Sequence, residues 1–318
     1  MRLGSEIVRP GAGFGRAVRK SLHENRNATR RVPRRHEEAG VTDARPSDRR
    51  LALVLGGGGS KGALQAGLYL AMERLGVRPD LVVGASVGAV NGAFIAAGVD
   101  ARTLARGWCG LARTDLFGFH WPLLWEWGRA SSLLSARPLA TLLESRLVAR
   151  RFEDLEIPLA LVTTHLTAGE SCVWERGDLV RAVLASSAIP GLLPPVRGHD
   201  GVLHVDGSLT DNVPLELAEE RGATHVISMN PRACDRCDRP ARSLVDILGH
   251  AFAVASDCKL RNLRRDVVAD ERHLLLQPQL GEYVRAMDFS HGRRLVREGY
   301  RYALPRLRAW MERGDPEG

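Results

Sequence analysis

Cysteine is scarce in this chain of 318 residues, with Cys109, Cys172, Cys234, Cys237 and Cys258 the whole supply. An odd number at irregular spacing excludes a fold stapled by disulfides. Cys234 and Cys237 form a single C-x-x-C in an Arg- and Asp-rich stretch, and zinc would need a second pair that the sequence does not have. No metal and no cofactor are therefore expected. Long apolar runs are also missing. Nothing reaches the ~18 consecutive apolar residues that cross a bilayer, and no apolar segment follows the first charges as in a signal peptide. The expectation is a cytoplasmic protein or one peripheral to a membrane. Lysine is nearly absent, with 42 Arg to 3 Lys, a bias of codon usage rather than of function.

Positive charge is abundant but badly distributed. The formal net charge is +8, and residues 1–50 hold 13 Lys and Arg against 6 Asp and Glu, which leaves +1 for the rest. The basic character belongs to a polar tail without periodicity, read as disordered, and not to a basic domain. No nucleic-acid partner is expected.

From residue 51 to 318 the pattern is that of one α/β domain, with its motifs in 51–230 and a helical remainder. Leu51-Ala-Leu-Val-Leu55 is a short apolar run ending in glycines, as a buried parallel strand should be. A helix over 62–75 follows, with Leu64, Leu68, Met72 and Leu75 on one face. Leu81-Val-Val83 is a second buried strand and leads into a helix through Ala97. Further strands are expected near 159–164, 171–175, 202–205 and 225–229, and helices over 137–148, 178–186, 213–221, 243–263 and 291–312. This alternation predicts a three-layer αβα sandwich around a mainly parallel sheet.

Three motifs carry chemistry. Gly84-Ala-Ser-Val-Gly88 sits between a strand and a helix, the setting of a G-x-S-x-G nucleophile elbow. There Ser86 would project its hydroxyl at a helix N-terminus; the plainer alternative is a serine that only caps the helix. Gly56-Gly-Gly-Gly-Ser-Lys-Gly62 lies at a second strand–helix corner. It is not a P-loop, because Lys61 precedes the last glycine instead of preceding Ser or Thr. Gly57, Gly59 and Gly62 match the dinucleotide fingerprint G-x-G-x-x-G, for which Asp80 stands at about the right distance but ahead of its strand. The other reading of Gly57, Gly58, Gly59, Lys61 and Gly62 is an oxyanion hole, where converging backbone N–H groups meet a small anion. Lys61 would either help neutralise that anion or lie in solvent. The third motif, Asp206-Gly207-Ser208 after His204-Val205, places a carboxylate at a strand end or marks an ordinary Asp-Gly turn.

In order, spacing and setting these motifs resemble the patatin-like phospholipases. The likeness extends to Phe152-Glu-Asp-Leu-Glu-Ile-Pro158, Ala185-Ser-Ser-Ala-Ile-Pro190 and Asp211-Asn-Val-Pro214. The resemblance implies a lipid acyl hydrolase with Ser86 as nucleophile, Asp206 as base and the glycine loop as oxyanion hole, working as a dyad without histidine. Two residues depart from the family pattern: Lys61 replaces the usual Arg, and Ser208 replaces Gly or Ala. A Ser–His–Asp triad using His225 or His250 is the competing mechanism. A thioesterase or acyltransferase on the same site, or a nucleotide-binding protein resting on the glycines alone, are the competing functions.

Aromatics are few, yet Phe117, Phe119, Trp121, Trp125 and Trp127 crowd into 11 residues, interleaved with Leu116, Leu123 and Leu124. Segment 116–127 reads as a lid, an acyl groove or a membrane-contacting surface, against the alternative of core packing. A lipid or acyl-ester substrate is the expected partner.

Overall fold

The computed structural model describes residues 49–119, 131–231, 247, 249–256, 270–282 and 284–313. The chain joins the fold at Arg50, whose carbonyl accepts from the amides of Thr224 and His225. β1 (Leu51–Leu55) then leads through a 3-10 turn at Gly59–Lys61 into α1 (Gly62–Arg74). β2 (Leu81–Ala85) leads into α2 (Val87–Ala96), and α3 (Ala101–Cys109) follows. A short hairpin of β3 (Gly118–Phe119) and β4 (Leu134–Ser135) precedes α4 (Arg137–Arg146). Next come β5 (Leu159–His165), β6 (Ser171–Trp174), α5 (Leu179–Ser186), β7 (Val196–Arg197) and β8 (Leu203–Asp206). α6 (Leu215–Glu220), β9 (His225–Met229), β10 (His273–Leu276) and α7 (Gly292–Arg313) complete the described elements.

The main sheet runs β10-β9-β1-β2-β5-β8-β7, with β6 paired to β5. The five strands from β10 to β5 are parallel, and β6, β7 and β8 are antiparallel to their neighbours. Side chains alternate across it with the two-residue period of a strand. Leu51, Leu53, Leu55, Val82, Leu159 and Leu161 join one core, packed by α1 to α5 and α7. Ala52, Val54, Leu81, Val83, Ala160 and Val162 join a second, smaller core covered by α6. Burial on both faces explains why these strands read as continuous apolar runs. It also gives the expected αβα layering with a mostly parallel sheet.

Several elements differ from expectation. α3 was not anticipated, although Ala101, Leu104, Ala105 and Trp108 are buried at helical spacing and the Asp100 carboxylate caps the Thr103 amide. β10 was missed because three leucines between polar residues are too short a run to show a period. The helix expected over 243–263 lies largely outside the described residues; residues 249–256 are helical. Among the described residues no helix is long and apolar enough to cross a membrane, and no His/Cys/Asp/Glu cluster could hold a metal.

Candidate active site

Strand register brings the first and third motifs together. Ala85, the last residue of β2, pairs with Val162 on β5, and Asp206, the last residue of β8, pairs with Thr163. β2 runs parallel to β5 and β8 antiparallel, so the two strands run toward each other and end at consecutive positions of the same neighbour. Ser86 and Asp206 therefore meet although 120 residues separate them, and the Ser86 hydroxyl donates to Asp206 Oδ2 at 2.6 Å.

The elbow is as tight as its glycines imply. A Cβ on Gly84 would lie 2.6 Å from the Gly88 carbonyl oxygen, and one on Gly88 would lie 1.9 Å from that of Leu55. Ser86 takes φ 55°, the sole positive φ of a non-glycine among the described residues, a conformation costing about 1–3 kcal/mol that surrounding contacts must over-determine. Those contacts are present. The Ser86 amide donates to Ser186 Oγ at 3.0 Å, Ser186 Oγ donates to the Val162 carbonyl, and Ser187 Oγ donates to the Ser86 carbonyl. The serine is held at the N-terminus of the ten-residue α2, where the helix dipole favours developing negative charge. It makes no side-chain cap of that helix, so the plainer reading of Ser86 does not describe it.

Asp206 is fully buried. Its Oδ1 accepts from the Ser208 amide at 2.9 Å. Burial pushes its pKa from 3.8 up to about 6, against the pull of the Ser86 hydroxyl and the Ser208 amide. Gly207 is required by contact, since a Cβ there would sit 2.1 Å from the Val162 carbonyl oxygen.

The glycine loop packs directly on this pair. A Cβ on Gly57 would strike Ser208 Oγ at 2.2 Å and Ser86 Cβ at 3.0 Å. The Gly57 amide donates to Asn212 Oδ1 at 2.8 Å and the Gly56 amide to the Met229 carbonyl. The Ser60 amide donates to Ala286 and the Lys61 amide to Gly58. The amides of Gly58 and Gly59 have no acceptor among the described residues. Lys61 is buried rather than in solvent, and Gly62 backs onto Val87 and Trp108.

A buried polar network ties loop to elbow. Gln65 Nε2 donates to the Gly56 carbonyl, Asn91 Nδ2 donates to Gln65 Oε1 and the Gly62 carbonyl, and Trp108 Nε1 donates to Asn91 Oδ1. Neither this network nor the roles of Ser186 and Asn212 was read from the sequence. The signal available was a lone Gln and a lone Asn inside otherwise apolar helices.

Alternative assignments meet geometric obstacles. His225 pairs with Leu51 at the start of β1, the sheet edge opposite the glycines, where it lies against Trp310. His204 bonds to Thr163 Oγ1 and approaches Asp200, not Ser86. Asp80 accepts from the Leu51 amide at the same far edge, so it cannot serve a nucleotide bound at the loop. Cys234 and Cys237 lie outside the described residues.

Beside Ser86 opens a cavity. Val87, Val90 and Phe94 of α2, Leu104 and Trp108 of α3, and Leu139 of α4 are among its walls. Its polar wall residues Asn91 and Ser187 are internally paired, so the lining around Ser86 is effectively apolar. Leu116 and Phe117 line it too, Phe117 packing on Phe289 at 6.0 Å, while Phe119 is 52% exposed. Trp121, Leu123, Leu124, Trp125 and Trp127 fall outside the described residues.

The family model described as patatin-like phospholipase matches residues 53–219, more than half of the chain and a span that includes both Ser86 and Asp206. The chain belongs to the patatin-like phospholipase family. Within the family it is similar to patatin-like phospholipase domain-containing protein 7 of Mus musculus, 27% identical over 94% of this chain and 24% of that protein. It is 34% identical to patatin-like phospholipase domain-containing protein 6 of Homo sapiens over 59% of this chain and 14% of the relative. Neuropathy target esterase sws of Drosophila melanogaster is 30% identical over 59% of this chain and 13% of its own length. The chain thus spans a quarter or less of these relatives. Among solved structures, VipD from Legionella pneumophila shares the fold, with a TM-score of 0.51 and 16% identity over 83% of this chain and 67% of that one.

Proposed function

We propose that this patatin-like chain is a lipid acyl hydrolase that cleaves carboxylic esters through a Ser86–Asp206 dyad. The observation that carries the reading is the 2.6 Å hydrogen bond from a strained serine to a buried carboxylate, opening on an apolar cavity. Asp206, with its pKa near 6, is a base at neutral pH and still basic enough to take the serine proton. Ser86 Oγ attacks the ester carbonyl as its proton passes to Asp206. The resulting oxyanion is met by the amides of Gly58 and Gly59, the donors of the loop that have no acceptor of their own. The tetrahedral species then expels the alcohol, which takes the proton from Asp206, and leaves an ester on Ser86. Water losing its proton to Asp206 attacks that ester, and the proton returns to Ser86 Oγ as the fatty acid departs.

In this reading Gly57 is a packing residue that brings the loop against Ser86, Lys61 adds positive charge below the oxyanion, and no cofactor takes part. Segment 116–127 divides: Leu116 and Phe117 serve the acyl cavity, and Phe119 is the described ring placed to touch a lipid surface. The protein would then act free or peripheral to a membrane.

The test is a fluorophosphonate probe followed by a substrate panel. Wild type should be labelled on Ser86, and Ser86→Ala should lose both labelling and esterase activity, by about 10⁴-fold or more. Phospholipids, monoacylglycerols and acyl thioesters then separate hydrolase from thioesterase. A folded Ser86→Ala that still turns over ester, or tight nucleotide binding lost on changing the loop, would sink the proposal.

A further inference from the structure

The acyl cavity has a measurable depth. Ser86, Val87, Val90, Asn91 and Phe94 line it at spacings of one, four, five and eight residues, which is one face of α2. The cavity therefore runs along the nucleophile's own helix. Phe94 is the lining residue of α2 farthest from Ser86, and it is buried at 3% exposure. Eight residues at 1.5 Å each place it ~12 Å along the axis from the nucleophile. Helical side chains lean toward the N-terminus, so its ring reaches back toward Ser86. An extended chain advances roughly 1.2 Å per bond, as three-bond residues spanning 3.3–3.6 Å show. About eight to ten carbons fit between the nucleophile and the ring.

We infer that Phe94 is the floor of the acyl site and restricts this enzyme to medium-chain acyl esters, with an optimum at about eight to ten carbons. The inference rests on the hydrolase reading above. A longer chain must bend at the ring or stay partly in water, and loses the burial of its terminal methylenes. Each lost methylene weakens kcat/KM by about fourfold at ~0.8 kcal/mol. Val90 lies one turn nearer Ser86 on the same face, ~6 Å along the axis. A large side chain there makes a higher floor.

The experiment is a kcat/KM profile on p-nitrophenyl esters from about four to about sixteen carbons, for wild type, Phe94→Ala, Phe94→Leu and Val90→Phe, each with a thermal melt. Wild type should peak at about eight to ten carbons. Phe94→Ala should raise the ratio of fourteen-carbon to eight-carbon turnover by about tenfold or more, and Phe94→Leu should raise it less. Val90→Phe should move the optimum the other way, to about four to six carbons. General destabilisation would not shift two variants in opposite directions. If Phe94→Ala does not fold, Phe94→Leu and Val90→Phe decide the matter. An optimum unmoved in all variants, or a wild-type peak at about fourteen carbons or beyond, would overturn the inference while leaving the hydrolase intact. Turnover of no ester at all would remove the hydrolase reading and this one with it.

Discussion

The two glycine-bearing corners of the sheet look alike in sequence and differ in what their glycines do. At Gly84–Gly88 the glycines are spaces: each faces a backbone carbonyl too close for a Cβ, and the positive φ falls on Ser86 instead. At Gly56–Gly62 the positive φ falls on Gly59, where a Cβ would meet the Ala286 carbonyl oxygen at 2.3 Å, and the amides of Gly58 and Gly59 have no acceptor among the described residues. One corner holds a strained serine through Ser186 and Ser187 at the end of α5 and Asp206 at the end of β8. The other presents backbone and is held from outside, by Asn212 and by residues 285–286. Ser86 is thus held within the motif core, whereas the glycine loop also depends on the C-terminal part of the chain.

The sharpest way to break this comparison is to add one methyl to each corner. Gly58→Ala brings a Cβ within 2.7 Å of the Pro231 ring, a side-chain contact that can give by moving the loop. Losing one oxyanion donor costs about 10²–10³-fold in kcat, so activity should fall that far while the melting temperature stays near wild type. Gly88→Ala meets a backbone oxygen that cannot give. It should cost about 3 kcal/mol or more of stability, seen as a lowered urea midpoint. Equal effects of both on the melt, with little on kcat for Gly58→Ala, would erase the distinction.

A smaller effect probes the elbow's support. Ser186→Ala removes the acceptor of the Ser86 amide and leaves that buried donor unpaired. The expected loss is about tenfold in kcat with KM nearly unchanged, from ~1–3 kcal/mol of misplacement and desolvation. A change in KM alone would show that Ser186 serves substrate binding instead.

A further effect is on stability and follows from Asp206. Its pKa is raised in the fold, so the folded state binds more protons than the unfolded chain between 3.8 and about 6. Stability contributed by the neutral carboxyl is present below 3.8 and is lost as pH rises through about 6. At pH 7 the buried charge costs on the order of 3 kcal/mol, its hydrogen bonds already counted in that raised pKa. Asp206→Asn should therefore gain melting temperature relative to wild type as pH goes from about 4 to about 7. A difference that shrinks over that interval would contradict the raised pKa.

Much of this was legible in the residues. β1 and β9 fall where their apolar runs begin and end, and α1 ends within a residue of its expected boundary. Ser86 and Asp206 stood out because each sits at a strand end within a short glycine-bearing motif. What the sequence could not convey is pairing at a distance: that Val162 and Thr163 would bring β2 and β8 end to end. Nor could it say which loop amides remain open, because that depends on Asn212 and Ala286 folding onto the loop. α3 was missed although its period was present, since Gly107 and its arginines masked it, and with α3 went Leu104 and Trp108, two walls of the cavity. Lys61 showed the limit of local reading, as a lysine in a first turn gave no sign of burial.

The central claim is that Asp206, without histidine, is the base for Ser86, and it is tested most directly by kcat/KM for p-nitrophenyl butyrate from about pH 5 to about pH 8 in wild type and Asp206→Asn. Wild-type activity should rise with pH through an apparent pKa of about 6 and then level. Asp206→Asn should be flat and about 10²–10⁴-fold lower while still folded. A folded Asp206→Asn with wild-type turnover and an unchanged pH profile would contradict the account.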